Sequence, residues 1–120
     1  VSSSTSPAKN PSRGEVWQVN LDPTKGREQQ ASRPALVISV DKFNHGPAEL
    51  VVVIPITKVN KQLPSHVYVP KGEAGLDFDS YIKVEDIRSI STERLQYCRG
   101  IVSYPRIEQV QQILRVLLKL

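Results

Sequence analysis

The chain has 120 residues, a formal charge of +4 and a single cysteine, Cys98. That length suits one domain built on one core, and a lone cysteine excludes an intrachain disulfide and fits a reducing compartment, so a cytoplasmic location is expected. Cysteine and histidine together are too few for a zinc site of the usual spacing, the longest apolar run (residues 50–56) is too short to cross a bilayer as a helix, and no apolar segment opens the chain as a secretory signal would.

Residues 1–12 are rich in Ser and Pro and nearly free of large apolar side chains. They cannot repay their ordering entropy by burial, so a flexible arm or expression remnant is expected there, with the folded domain at 13–120. Residues 15–21 read as the first strand, with Trp17, Val19 and Leu21 on one face and Val16, Gln18 and Asn20 on the other. Asp22-Pro23-Thr24-Lys25-Gly26 reads as a turn. Residues 35–40 are almost continuously apolar, as in a central strand. A loop or one helical turn is expected over 41–49, and a third strand over 50–57, where Pro55 cannot donate to a ladder and predicts an edge position or a bulge.

Further along, short strands are expected at 66–70 and 81–84, with 86–90 continuing or pairing beside the latter. Gly72 to Gly75 reads as a turn, 91–95 as a single helical turn with a hydroxyl cap, and 99–104 as another short strand. The clearest helix is the last segment. Ile107, Val110, Leu114 and Leu117 recur at three- and four-residue spacing, Ile113 widens the stripe, and Pro105 suits the first turn. The stripe reads as core packing, with Leu118 and Leu120 able to extend it into a subunit interface, and Cys98 also reads as packing. Several short strands and one terminal helix predict a mainly β domain, a small and strongly bent sheet or barrel closed by the helix.

The charge is modest, so its placement matters more than its total. Lys25, Arg27 and Arg33 crowd one stretch against a single acid, Glu28, and Lys58, Lys61 and Lys71 share a segment without any acid. Two basic loops in one small domain can form a phosphate-binding groove. Pro34 biases Arg33 toward an extended backbone at the mouth of a central strand, and a planar guanidinium suits phosphate. On composition alone, a Glu28–Arg33 loop ion pair is the competing reading. Thr57 ends the third strand and can present its hydroxyl above the sheet, or simply terminate the strand. His45 and His66 have no adjacent Asp or Cys to mark a triad and read as surface histidines. Asp77 and Asp79 are not spaced as in a calcium loop. Tyr81, Tyr97, Tyr104 and Phe43 can stack on bases where exposed.

The stretch RGEVWQVNLDPTKGREQQASRPALVIS, followed in order by VVVIPITK, LPSHVYV, GLDFDSYIKVEDIRSIS and ERL, closely resembles the MazF/PemK family of ribonuclease toxins over about residues 13–120. The resemblance implies a small SH3-like barrel with a C-terminal helix. It implies a homodimer that cuts single-stranded RNA, often at short defined sequences, needs no metal or other cofactor and leaves 2′,3′-cyclic phosphate and 5′-hydroxyl ends. It also implies a cognate MazE-like antitoxin as partner. The family's catalytic arginine falls on Arg33, its catalytic threonine on Thr57 and its acidic loop position on Glu28, next to Gln29. With RNA supplying its own 2′-hydroxyl as nucleophile, Arg33 would stabilise phosphoryl charge, Thr57 would hold the phosphate or the attacking hydroxyl, and Glu28 would position Arg33 or assist that hydroxyl. A guanidinium is a poor base. With the basic loops, this resemblance makes Lys25, Arg27, Gln29, Lys58, Asn60, Lys61 and Gln62 the expected RNA contacts. Of these, Asn60 and Gln62 would read base edges and the lysines would meet phosphate. Arg27 departs from the small residue of many relatives. A non-catalytic nucleic-acid- or protein-binding module on the same scaffold is the alternative.

Overall fold

The computed structural model describes residues 9–21 and 32–120. Seven strands form one antiparallel sheet: β1 (Glu15–Asn20), β2 (Ser32–Val37), β3 (Leu50–Thr57), β4 (His66–Val69), β5 (Ser80–Lys83), β6 (Arg88–Ser91) and β7 (Leu95–Ile101). A one-turn helix, α1 (Asp41–Asn44), follows β2, and α2 (Tyr104–Leu118) ends the chain. The strand order is β4-β5-β3-β2-β1-β7, with β6 also paired to β3. The mainly β architecture with its C-terminal helix is the one expected, although β4 and β7 do not pair with each other, so hydrogen bonding leaves the sheet open and "barrel" describes it loosely.

Both faces of the central strands are buried, which explains their unbroken apolar runs. On one face, Val16, Leu36, Ile54 and Ile82 pack with Ile107 and Val110 of α2. On the other, Trp17, Val19, Ala35, Val37 and Val53 pack with Ile90 and Leu95. Alternation along β1 therefore feeds two apolar clusters instead of one core face and one wet face. Pro55 is not at an edge. It pairs with Ala35 of β2, and it falls where the other side of β3 changes partner from β6 (through Val53) to β5 (from Ile56). A missing N–H is tolerated where the ladder is already interrupted.

The packing stripe of α2 holds only in its first half. Ile107 and Val110 are buried and Ile113 and Leu114 partly so, but Leu117 is 48 % and Leu118 53 % exposed. Pro105 sits in the first turn as expected. Ser103, at the N-cap, makes no side-chain cap bond of its own. Glu73, in a 3₁₀ turn at Glu73–Gly75, supplies the acceptor, taking hydrogen bonds from Ser103 N–H (3.1 Å), Ser103 Oγ (3.2 Å) and Arg106 (3.2 and 3.3 Å). Burial opposes the charge on Glu73. The Ser103 and Arg106 bonds outweigh it and hold the carboxyl below its ordinary value.

That 3₁₀ turn is seated backbone against backbone on β7. A Cβ on Gly75 would lie 2.2 Å from the Arg99 carbonyl oxygen, and one on Gly100 would lie 2.8 Å from the Ala74 carbonyl carbon. Before β1, residues 9–12 lie against the domain: Lys9 Nζ donates to the Leu95 carbonyl, and the carbonyl of buried Pro11 meets His45 Nε2 at 2.8 Å. No helix among the described residues is long and apolar enough to cross a membrane.

Candidate functional site

The site lies at the end of the β2–β3 ladder. β2 and β3 pair antiparallel with Val37 opposite Val53, Leu36 opposite Ile54 and Ala35 opposite Pro55. Beyond this ladder β2 reaches back to Ser32 and β3 runs on to Thr57, so Arg33 and Thr57 each lie two residues past the last pair, at the adjoining ends of neighbouring strands. Arg33 lies within β2, paired to Val19 of β1, so a rigid strand carries it and not the loop before it. Both residues line each of two adjoining cavities, one of about 400 Å³ and one of about 450 Å³.

The two groups are poised differently. Arg33 is exposed, and its guanidinium has no hydrogen-bond or ion-pair partner among the described residues. Glu28, the residue expected to pair with it, lies outside the described residues, as do Lys25, Arg27 and Gln29. Thr57 Oγ1 accepts a hydrogen bond from the Val59 N–H at 3.1 Å. With its oxygen fixed this way, the hydroxyl proton remains free to donate into the cavity. A guanidinium fork and a hydroxyl donor across one pair of strands suit the non-bridging oxygens of a phosphodiester.

Of the remaining expected contacts, Lys58 lines the first cavity and Lys61 the second. Asn60 and Gln62 are exposed on the intervening loop and line neither; Asn60 Oδ1 accepts from the Gln62 N–H at 2.9 Å, an Asx-type turn. The first cavity also contains residues that sequence patterns do not single out: Gln18, Ser32, Asp77, Phe78 and Arg99. They come from β1, β2, β7 and the segment before β5, and only tertiary packing joins them.

His66 is not a surface histidine. Its side chain is 3 % exposed, borders the second cavity, and gives Nε2 to Glu85 Oε2 at 3.1 Å. Glu85 also accepts from Ser65 Oγ at 2.7 Å. Partial burial opposes the Glu85 charge, but the Ser65 and His66 bonds prevail and its pKa falls below the ordinary value. His66 Nδ1 is buried without a hydrogen-bond partner. The chain signal for this pair is weak, because its members are 19 residues apart and meet only through β4–β5 pairing.

Other candidates separate. Asp77 binds Arg99 Nη2 at 3.1 Å, whereas Asp79 accepts from the Lys71 N–H at 2.9 Å. Among the described residues no three His, Cys, Asp or Glu side chains are grouped to hold a metal. Cys98 is exposed, correcting its reading as packing, because β7 is an edge strand. Partial burial, then the nearby Glu15 carboxylate, push its thiol pKa up, which disfavours the reactive thiolate. His45 bonds the Pro11 carbonyl and lines neither cavity.

Comparison with known proteins identifies the family and the fold. Residues 12–118 match the model of the PemK-like, MazF-like toxins of type II toxin–antitoxin systems. The chain is 39 % identical over 113 residues to endoribonuclease MazF9 of Mycobacterium tuberculosis, covering 90 % of this chain and 96 % of that protein. Among solved structures it is similar to MazE–MazF (Form-II) from Deinococcus radiodurans, with TM-score 0.81 and 25 % identity over 94 % of this chain and 99 % of that one. It is also similar to an endoribonuclease in complex with its cognate antitoxin from a mycobacterial species. There the TM-score is 0.73 and the identity 19 %, over 94 % of this chain and 97 % of that one.

Proposed function

The chain belongs to the family of PemK-like, MazF-like toxins of type II toxin–antitoxin systems and is an endoribonuclease toxin, and on that premise we propose a metal-independent transesterification of single-stranded RNA carried by Arg33 and Thr57. The observation that carries the site assignment is that both residues line each of two adjoining cavities.

In this reaction the substrate's 2′-oxygen bonds to the adjacent phosphorus and the bond from phosphorus to the 5′-oxygen breaks. The 2′-hydroxyl loses its proton and the departing 5′-oxygen gains one, so the ends are a 2′,3′-cyclic phosphate and a 5′-hydroxyl. Arg33 holds the charge gathering on the non-bridging oxygens, and Thr57 donates its hydroxyl hydrogen to one of them. Glu28 positions Arg33 or receives the 2′ proton. His66 borders the second cavity, and the departing 5′-oxygen takes its proton from water.

Lys25, Arg27, Lys58 and Lys61 guide the RNA backbone toward these cavities, while Gln29, Asn60 and Gln62 meet bases from the flanking loops. A cytoplasmic homodimer is the working form, supported by the exposed apolar end of α2, where Val116 is 82 % and Leu120 80 % exposed. A MazE-like antitoxin blocks the groove. Support for that partner is the likeness to the MazE–MazF and toxin–antitoxin complexes.

The test is to incubate purified protein, free of antitoxin, with long RNAs of varied sequence in EDTA and to map both new ends. Discrete cuts with cyclic phosphate and 5′-hydroxyl ends are expected. Cuts that require a divalent ion or leave 5′-phosphates would refute the mechanism. Binding without scission on every RNA would favour the non-catalytic module.

A further inference from the structure

Resting on the endoribonuclease reading, we propose that the first cavity is a nucleobase pocket for a nucleotide flanking the scissile phosphate. In it, Phe78 stacks on the base and Asp77 selects one that carries an exocyclic amino group over uracil.

The location follows from the lining. The cavity shares Arg33 and Thr57 with the site of chemistry, and beyond them its wall is Gln18, Asp77, Phe78 and Arg99. A base that enters here is therefore bound beside the reacting phosphate. At about 400 Å³ the space falls within the range of small-ligand pockets.

The preference follows from a donor and acceptor count. Gln18 Nε2 donates to Ser32 Oγ at 2.9 Å, and Gln18 Oε1 accepts from Arg99 Nη1 at 3.0 Å. Ser32 Oγ donates to Gln96 at 2.8 Å. The Nη groups of Arg99 also reach Tyr97 OH (3.4 Å), the Gly75 carbonyl (2.8 Å) and Asp77 Oδ2 (3.1 Å). The donors of the wall are largely engaged with one another; Arg99 Nε has no partner but is itself buried. Asp77 differs: its side chain is 77 % exposed and one bond to Arg99 leaves most of its lone pairs free. The wall thus offers an ionised acceptor, which suits the amino group of cytosine, adenine or guanine. Uracil presents two carbonyl oxygens and only one N–H, so most of its edge would face the carboxylate with like charge.

Phe78 supplies the stacking surface. An aromatic ring 55 % exposed beside a polar cavity is poorly explained by packing, and ring-on-base stacking is tolerant of sequence. Lys58 Nζ lies 4.4 Å from the ring centroid, so a cation already steadies the ring and is at hand for the neighbouring phosphate. The wall is also preorganised. Arg99 is 14 % exposed and ties Asp77 to Gln18, while the Gly75–Gly100 seat and the Glu73–Arg106 pair hold the segment before Asp77 on β7 and α2. Little ordering is left to be done when a base arrives.

The experiment reads base frequencies around every cut in a randomised single-stranded RNA pool, for wild type, Asp77→Asn and Phe78→Ala. Both side chains are largely exposed, so folding is retained, and thermal melts verify it. In wild type, uracil should be depleted about tenfold or more at one position flanking the cut. Asp77→Asn should still cut but lose that depletion or favour uracil, since its amide N–H₂ can donate to a carbonyl. Phe78→Ala should slow cutting about tenfold or more while keeping the depletion. Wild type that cuts with uracil freely accepted at both flanking positions, or identical frequencies in wild type and Asp77→Asn, would overturn the pocket alone. A wild type that cuts nothing in the pool would overturn the nuclease reading and this proposal with it.

Discussion

Gly75→Ala should destabilise the protein for two separable reasons, and Gly72→Ala isolates one of them. Both glycines sit at positive φ, +70° for Gly75 and +98° for Gly72. An L-residue held there pays about 1–2 kcal/mol in backbone strain. A Cβ on Gly72 would meet nothing within 4 Å, so strain is its whole cost. A Cβ on Gly75 would sit 2.2 Å from the Arg99 carbonyl oxygen, far inside contact, and backbone must move to admit it. Overpacking of this kind adds about 1–3 kcal/mol. The expected losses are therefore about 1–2 kcal/mol for Gly72→Ala and about 2–5 kcal/mol for Gly75→Ala. Urea unfolding measures both as shifts in midpoint at unchanged slope; in thermal melts each kcal/mol lowers Tm by about 4 °C for a domain of this size. Because the Gly75 seat holds the segment that carries Asp77 and Phe78, RNA cutting at temperatures where Gly75→Ala remains folded should also fall more than in Gly72→Ala. Equal destabilisation by the two substitutions would refute the close-approach account.

Thr57→Val should lower the cutting rate about 10²–10³-fold, the usual cost of one lost donor to developing charge. Thr57→Ser, which keeps the hydroxyl, should recover most of it in single-turnover assays. Glu73→Gln should cost about 1–3 kcal/mol at neutral pH, since charge-assisted bonds to Ser103 and Arg106 weaken. The folded-state pKa of Glu73 lies below its ordinary 4.5, so its contribution is fully present above that value and disappears as pH falls through the folded pKa. The stability gap between wild type and Glu73→Gln, read by urea unfolding, should narrow below pH 4.5; a gap constant with pH contradicts the assignment.

What could be read from the chain was whatever local pattern decides. β3 runs Leu50–Thr57, as its apolar run indicates, and α2 begins one residue before Pro105. Ser91 Oγ caps the single turn after β6 through the Glu93 N–H, as a hydroxyl at that place suggests. Pro34 misleads about the start of β2: apolarity begins at Ala35, but pairing with β1 begins at Ser32, because ladder bonds do not require apolar side chains. Pro55 misleads for a different reason, since no sequence rule foresees a strand whose neighbour changes midway. Arg33 and Thr57 stand out through motif resemblance, and their shared lining of both cavities then supplies a physical reason for their partnership. Gln18, Asp77, Phe78 and Arg99 are ordinary residues in their own segments and become a wall only when β7 and the turn before β5 are packed together. The surface reading of His66 fails similarly, because its carboxylate partner arrives from across a strand pair.

The most direct test of the central claim compares wild type, Arg33→Lys and Arg33→Ala in single-turnover cutting of one RNA bearing a mapped site, with EDTA present and folding verified by circular dichroism. A two-pronged guanidinium contact to phosphate predicts that alanine loses about 10³-fold or more. It also predicts that lysine, a point charge without the fork, recovers only part of that loss. Arg33→Ala cutting the same bond at the wild-type rate would contradict the account.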